Sequence, residues 1–206
     1  MKNAWLIRPY PHGINRVTEF RESGIIAIGW PCIGNLKGKS REDLKLLLSQ
    51  PPYSLTGTTL GNTYATIDIF VNQMEIGDLL LMPNGEDIYL GEVTGDYYLD
   101  ANVDNNKDGY PHQRTAQWLN TVSRKDMSMD LRLSLKVHRT TANLSHHFEE
   151  IEALCKGEKY SVESNFIEVK YPLRPDFEVS FKLPKDISKD EAQRLSAYFA
   201  SLYFVQ

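Results

Sequence analysis

Apolar positions recur with two distinct periods along this chain, and the switches between them outline its elements. Ala4-Trp5-Leu6-Ile7-Arg8 alternates as a strand, with Trp5 and Ile7 on one face. Val17–Glu22 predicts a short helix stopped by Ser23-Gly24, and Ile25–Trp30 is a β-rich run closed by Pro31. Ser40-x-x-Asp43 opens a helix like a capping box, with Leu44, Leu47 and Leu48 on one face and Pro51-Pro52 ending it. Residues 53–63 are polar and turn-rich. Tyr64, Ile67, Phe70, Val71 and Met74 then carry helical spacing.

A hairpin follows: Leu79–Met82 and Ile88–Val93 flank Asn84-Gly85, the dipeptide that best satisfies a tight turn with left-handed backbone. Tyr97–Leu99 extends the sheet, Asp100–Gly109 is a polar loop, and Arg114–Leu119 reads as a strand ending near Trp118. Leu131–Val137 fits strand or helix equally. Leu144, Phe148, Ile151 and Leu154 mark an amphipathic helix ended by Gly157. Phe166–Lys170 and Phe177–Leu183 alternate as strands, and Ser188-x-x-Glu191 caps a last helix whose apolar face runs toward Tyr203-Phe204. Short strands broken by short helices, with one antiparallel hairpin, favour an α+β or small-barrel fold over a doubly wound sheet.

With 206 residues, 41% apolar and 24% charged, the chain can bury a core. No apolar run approaches the ~20 residues of a membrane span, and the start turns polar too early for a signal peptide. Cys32 and Cys155 are too few for a disulfide framework, so a cytoplasmic location is expected. The net charge of −4 weighs against tight non-specific binding to nucleic acid. Local basic clusters remain at Lys37, Lys39, Arg41 and Lys45, and at Arg124, Lys125, Arg132, Lys136 and Arg139, where a solvated helix face is the plain alternative.

Three motifs imitate chemistry. Asp104-Asn105-Asn106-Lys107-Asp108-Gly109 starts like a calcium loop, yet its twelfth position is Thr115 instead of the required Glu, which favours a solvated turn. Glu168-Val169-Lys170 imitates half of a metal-dependent nuclease, without the second carboxylate that would share the metal. His146-His147 would diverge on a helix, where neighbours point about 100° apart. No nucleophile or phosphate-loop motif is complete, so the chain is expected not to be an enzyme and to need no cofactor or metal.

Aromatic residues beside turns are the more telling feature. Trp30 ends a strand, and Tyr97, Tyr98, Tyr110 and Trp118 surround a polar loop with His112 and Arg114. Singly, such rings are core or edge packing; together they can stack a planar ligand.

These segments, in order Trp5–Arg8, Ile25–Trp30, Gly77–Asn84 with Leu90–Val93, and Tyr110–Leu119, carry a family resemblance over residues 1–120. The chain resembles the EVE/YTH-like branch of the PUA-like superfamily, particularly the N-terminal modules of prokaryotic modification-dependent restriction proteins. The resemblance implies a bent PUA-like barrel with outer helices, which holds a modified base in an aromatic cage and, in DNA-binding relatives, flips it from the duplex. By position it implies Trp30 as the first cage wall and Asn84 as the Asn after the central strand. Tyr97, Tyr98 and Tyr110 become candidates for a further wall, and His112 and Arg114 for the cleft; Trp118 is read as structural. Lys37, Lys39 and Arg41 would contact phosphate. Residues 121–206 then form a C-terminal α/β extension for oligomerisation or effector docking. The function expected is reading of a modified base, in DNA more than RNA, in a restriction or defence context with an effector such as a nuclease. The alternative is an interaction or small-ligand-sensing subunit.

Overall fold

The computed structural model describes residues 2–158, 160, 166–184 and 186–202. Chain contacts divide it into two units, Met1–Tyr160 and Ser161–Gln206.

In the first unit, β1 (Ala4–Ile7), α1 (Val17–Glu22), β2 (Ile25–Ile28), α2 (Arg41–Ser49) and α3 (Gly57–Asp68) precede a π-helical turn at Ile69–Gln73. Strands β3 (Leu79–Asn84), β4 (Asp87–Val93), β5 (Tyr98–Leu99) and β6 (His112–Ser123) follow, then α4 (Met129–Ser134), β7 (Thr141–Asn143) and α5 (Phe148–Cys155). The strands form one sheet in the order β2-β6-β4-β3-β1-β7, with β5 also on β6. All pairs are antiparallel except β1 with β3. Among the described residues β2 and β7 are not bonded to each other, so the sheet curls into an open half-barrel, where the sequence suggested a barrel.

Strand alternation feeds two cores, one on each face. Trp5 and Ile7, Leu80 and Met82, and Tyr89 and Val93 pack with Phe20, Leu44, Leu48, Ile67 and Phe70 of α1–α3 and the π-turn. Ala4 and Leu6, Leu79 and Leu81, and Ile88 and Leu90 pack with Leu131, Ile151 and Leu154 of α4 and α5. Each fully buried Leu or Phe stabilises by about 1.5–3 kcal/mol relative to exposure. The β4–β6 register shifts at Leu90/Gly91. A side chain at Gly91 would meet the Gln117 carbonyl at 2.8 Å and the Trp118 ring at 2.9 Å, so glycine there lets Trp118 lie across β4. The Trp118 indole donates to the Phe20 carbonyl (3.3 Å), a structural role as expected.

Several boundaries move. The boundary expected after residue 120 falls inside β6, and the unit continues through α4, β7 and α5, whose side chains complete the second core. Helix α3 starts at Gly57, inside the segment expected to be a polar loop; Thr63 and Thr66 are buried, so packing overrides weak helix propensity. Residues 131–137 resolve mostly to helix, because the Ser128 hydroxyl caps the Leu131 amide.

In the second unit, β8 (Phe166–Arg174) and β9 (Phe177–Pro184) form an antiparallel hairpin, and Ser188 with Glu191 makes the expected capping box of α6 (Lys189–Ser201). Tyr203 and Phe204 lie outside the described residues.

Candidate functional site

A cavity of about 280 Å³ opens where β2 ends. Its walls are Tyr10, Pro11, His12, Ala27, Ile28, Gly29, Trp30, Tyr53 and Thr140. This is the lower end of ligand-pocket sizes, roughly 300–1,000 Å³, and suits one planar ring system rather than a bulky molecule.

Each wall is held from outside the cavity. Tyr10 precedes a 3-10 turn at Pro11–Gly13, and its hydroxyl donates to the Asn84 side-chain oxygen (3.1 Å), which also accepts from Asn15 (3.2 Å). His12 Nε2 lies 2.9 Å from the Gly109 carbonyl. A carbonyl only accepts, so Nε2 donates this bond. Tyr53, half-buried after α2, donates to the Pro31 carbonyl (2.9 Å), and burial pushes its hydroxyl up to about 12.

Trp30 is fixed through its backbone. Its carbonyl sits 3.0 Å from His112 Nε2, and His112 Nδ1 sits 2.9 Å from the Tyr97 hydroxyl. That hydroxyl accepts from the Leu36 amide (3.1 Å). The partners settle every proton in the chain: Leu36 N–H to Tyr97 oxygen, Tyr97 O–H to Nδ1, and Nε2–H to the Trp30 carbonyl. His112 is fully buried, and desolvation holds its pKa below the ordinary histidine value, which favours this neutral form.

The backbone around the cavity is strained. Among the described residues, four non-glycine residues have left-handed φ: His12 (53°), Trp30 (63°), Cys32 (62°) and Ser54 (50°). His12 and Trp30 line the cavity, Ser54 follows Tyr53, and Cys32 follows Pro31, which holds Tyr53. Such conformations cost of order 1–3 kcal/mol each and concentrate at functional sites. The polar loop braces the same region: Asp104 accepts from the Cys32 amide (2.6 Å), and Asp108 accepts from Arg16 (3.1 Å).

Of the expected site residues, only Trp30 lines the cavity. Asn84 instead positions Tyr10. Tyr97 and His112 lie in the core as described, behind Trp30. Tyr110 is also buried: its hydroxyl donates to Glu19, its ring meets Phe20 edge-on and Arg16 lies over it, and burial with Glu19 raises its pKa to about 12. Tyr98 is partly exposed but bonds Gln113 (2.7 Å) and does not line the cavity. Arg114 is not in the cleft. Its guanidinium is buried and donates to the carbonyls of Phe70 (2.7 Å), Val71 (3.0 Å) and Gly95 (3.2 Å), closing the helix end that follows α3. Lys37, Lys39 and Arg41 do not line the cavity either; Lys37 approaches Asp96 (3.9 Å), and Arg41 lies over Tyr64.

Tyr10, His12 and Tyr53 were missed in the sequence because each follows an element end with no periodic signal. The detectable cue was Tyr10-Pro11-His12-Gly13, a turn sequence rich in rings.

The motif imitations resolve in the same structural terms. His146 and His147 do converge, with ring centroids 3.9 Å apart, because they lie on a 3-10 turn and both approach Ser134. Among the described residues, no group of three or more His, Cys, Asp or Glu could hold a metal ion. Glu168 accepts from Ser180 (3.0 Å), and Lys170 pairs with Glu178 (3.8 Å) across the hairpin. No helix among the described residues is long and apolar enough to cross a membrane.

An open, curled sheet with helices on both faces and an aromatic cavity at the end of one strand defines the class of protein. The model of a family described as a domain of unknown function (DUF8426) matches residues 12–143, and the chain belongs to that family. No curated protein matches it. Similar solved structures include protein Atu2648 from Agrobacterium tumefaciens (14% identity, covering 78% of this chain and 97% of that one, TM-score 0.35). Another is the YTH domain of the Zygosaccharomyces rouxii MRB1 protein in complex with N6-methyladenosine RNA (11% identity, 79% and 92%, TM-score 0.40). A third is Rpa0253 from Rhodopseudomonas palustris (14% identity, 75% and 91%, TM-score 0.32).

Proposed function

We propose that this chain is a nucleic-acid-binding module that admits a single base, in its modified form, between Trp30, Tyr10 and Tyr53. The observation that carries the reading is a cavity large enough for a planar base, with Trp30 and His12 in its wall on left-handed backbone and Tyr10 and Tyr53 beside them. Strain at a solvent-reachable aromatic pocket makes sense when the ring positions matter more than stability. Stacking contributes ~1–3 kcal/mol per base, which offsets the few kcal/mol needed to extrude a base only together with further contacts to its edge and backbone. His12 Nδ1 and Thr140 supply acceptor and donor capacity to read its edge. Arg139, exposed beside Thr140, is the nearest cation in sequence for a phosphate. Modified DNA is the preferred ligand class, recognised without chemical conversion, in the restriction or defence setting that the EVE/YTH resemblance implies.

A second reading has its own support: among the described residues, the cavity lining contains no lysine or arginine. That favours a free nucleobase or nucleoside over a polymer, and would make the chain a small-ligand sensor.

Fluorescence anisotropy with duplexes and single strands carrying unmodified bases, N6-methyladenine, 5-methylcytosine or 5-hydroxymethylcytosine tests both readings, with the free nucleosides as competitors. Selective binding to one oligonucleotide, abolished in Trp30→Ala, is the expected result. Tight binding to a nucleoside but to no strand selects the sensor. Indifference to every probe, or binding unchanged in Trp30→Ala, removes the pocket from the function.

A further inference from the structure

The hairpin of the second unit is divided into two chemically opposite faces. Its register sets Ile167 against Leu183, Val169 against Phe181, and Tyr171 against Val179. The intervening positions, Glu168, Lys170, Glu178 and Ser180, are polar and bond one another across the strands. One face is therefore apolar, while the other is polar at its centre, with Phe166, Pro172 and Pro184 at its ends. Helix α6 meets the apolar side where Phe199 lies 5.8 Å from Phe181.

Val169, Val179, Phe181 and Leu183 are half-buried, and the rest of the face is exposed. Tyr171 and Phe177 are each 58% exposed and Leu173 56%, and no described residue of Ser161–Gln206 is buried. An isolated two-stranded hairpin is marginal in water, and a segment this short cannot build its own core. Yet the pattern is that of a strand pair built to cover something, with alternation along β9 and along β8 up to the register shift at Pro172–Arg174.

We propose that this unit is a homodimerisation element, in which two copies of the chain pack their hairpin faces together about a two-fold axis. Ile167, Tyr171, Leu173 and Phe177, with Tyr198, Phe199 and Leu202 of α6, are seven large side chains about half exposed. At ~100 Å² each they offer roughly 700 Å² per copy, close to the ~800 Å² per partner of a standard stable interface. Charge points to the same occupant. Residues 161–206 contain six Lys or Arg and seven Asp or Glu, interleaved along the chain, so no field selects a polyanion or a basic partner. A mixed, nearly neutral rim around an apolar centre is self-complementary, as a two-fold interface requires.

Sedimentation equilibrium of the full chain, with hydrogen exchange at several concentrations, tests this. Wild type sediments at twice the chain mass, and amides in β8 and β9 gain protection as concentration rises. Tyr171→Lys with Phe177→Lys raises the dimer dissociation constant at least about a hundredfold, the loss expected when central apolar anchors are removed. Glu168→Gln, on the polar face, leaves association unchanged. Because the exchange measurement uses wild type, a variant that fails to fold this unit does not rescue the idea. A monomer at every concentration overturns it, and so does a dimer that persists in the double variant.

Discussion

Two groups of side chains, one buried in the core and one lining the cavity, differ in what their free faces meet. Tyr97, His112, Tyr110 and Arg114 are buried, and each polar end meets a partner inside the fold. Tyr10, His12, Trp30 and Tyr53 also have anchored polar or backbone groups, but their rings face a cavity. The two groups meet at His112, which holds the Trp30 carbonyl, whereas Tyr10, His12 and Tyr53 are held by Asn84, Gly109 and Pro31. Aromatic density near a loop therefore does not separate core rings from cavity walls; a ring with one unoccupied side does.

The largest effect that would break this contrast is expected at Arg114. Arg114→Met leaves three carbonyls without their donor in a buried site, and a loss of roughly 3–5 kcal/mol in urea unfolding is expected. A loss within 0.5 kcal/mol, the usual range for surface sites, would return Arg114 to the surface and to a ligand role. Next comes His112. His112→Phe removes the links to Trp30 and Tyr97 and costs about 2 kcal/mol. It also changes the pH response. The unfolded histidine takes its proton near pH ~6.5 while the buried one resists until lower pH, so wild type loses stability as pH falls through that window. The variant shows a shallower fall, with a remainder from His147, which desolvation and His146 shift the same way.

Trp30→Gly sharpens the comparison from the other side. Glycine adopts the left-handed backbone without strain, which offsets part of the packing lost where the half-buried indole lies against the core, so stability falls by only about 1–2 kcal/mol while base binding drops ~10–100-fold. A loss above about 3 kcal/mol in thermal melts would place Trp30 with the core group. The smallest effect is expected at Arg139: Arg139→Ala weakens oligonucleotide binding a few-fold at low salt and lowers the salt slope by about 1. An unchanged slope would place the backbone elsewhere.

Much of the fold was legible because local rules and tertiary demands agree. The Ser40 and Ser188 caps and the β3–β4 hairpin appear as the pattern predicts, but the turn falls one residue later, at Gly85-Glu86, because Asn84 stays in β3 and pairs with Asp87. Helix α3 was obscured at its start because Gly57, Thr58, Thr59 and Gly61 carry weak helix propensity, and burial of Thr63 and Thr66 decides the matter. The site was legible at one residue. Trp30 could be placed at a strand end from Ile25–Pro31, whereas the loop aromatics could not be sorted into core and rim.

The sequence by itself determined the periods, caps and turns, and through them which side chains share a strand face, because those are set by backbone geometry within a few residues. Only the tertiary structure decided which rings keep an open side. That depends on contacts between residues far apart in the chain, such as Tyr10 with Asn84, His12 with Gly109 and Trp30 with His112. It also decided that Arg114 closes a helix end, since an arginine on an alternating strand is the same letter whether it meets phosphate or three buried carbonyls.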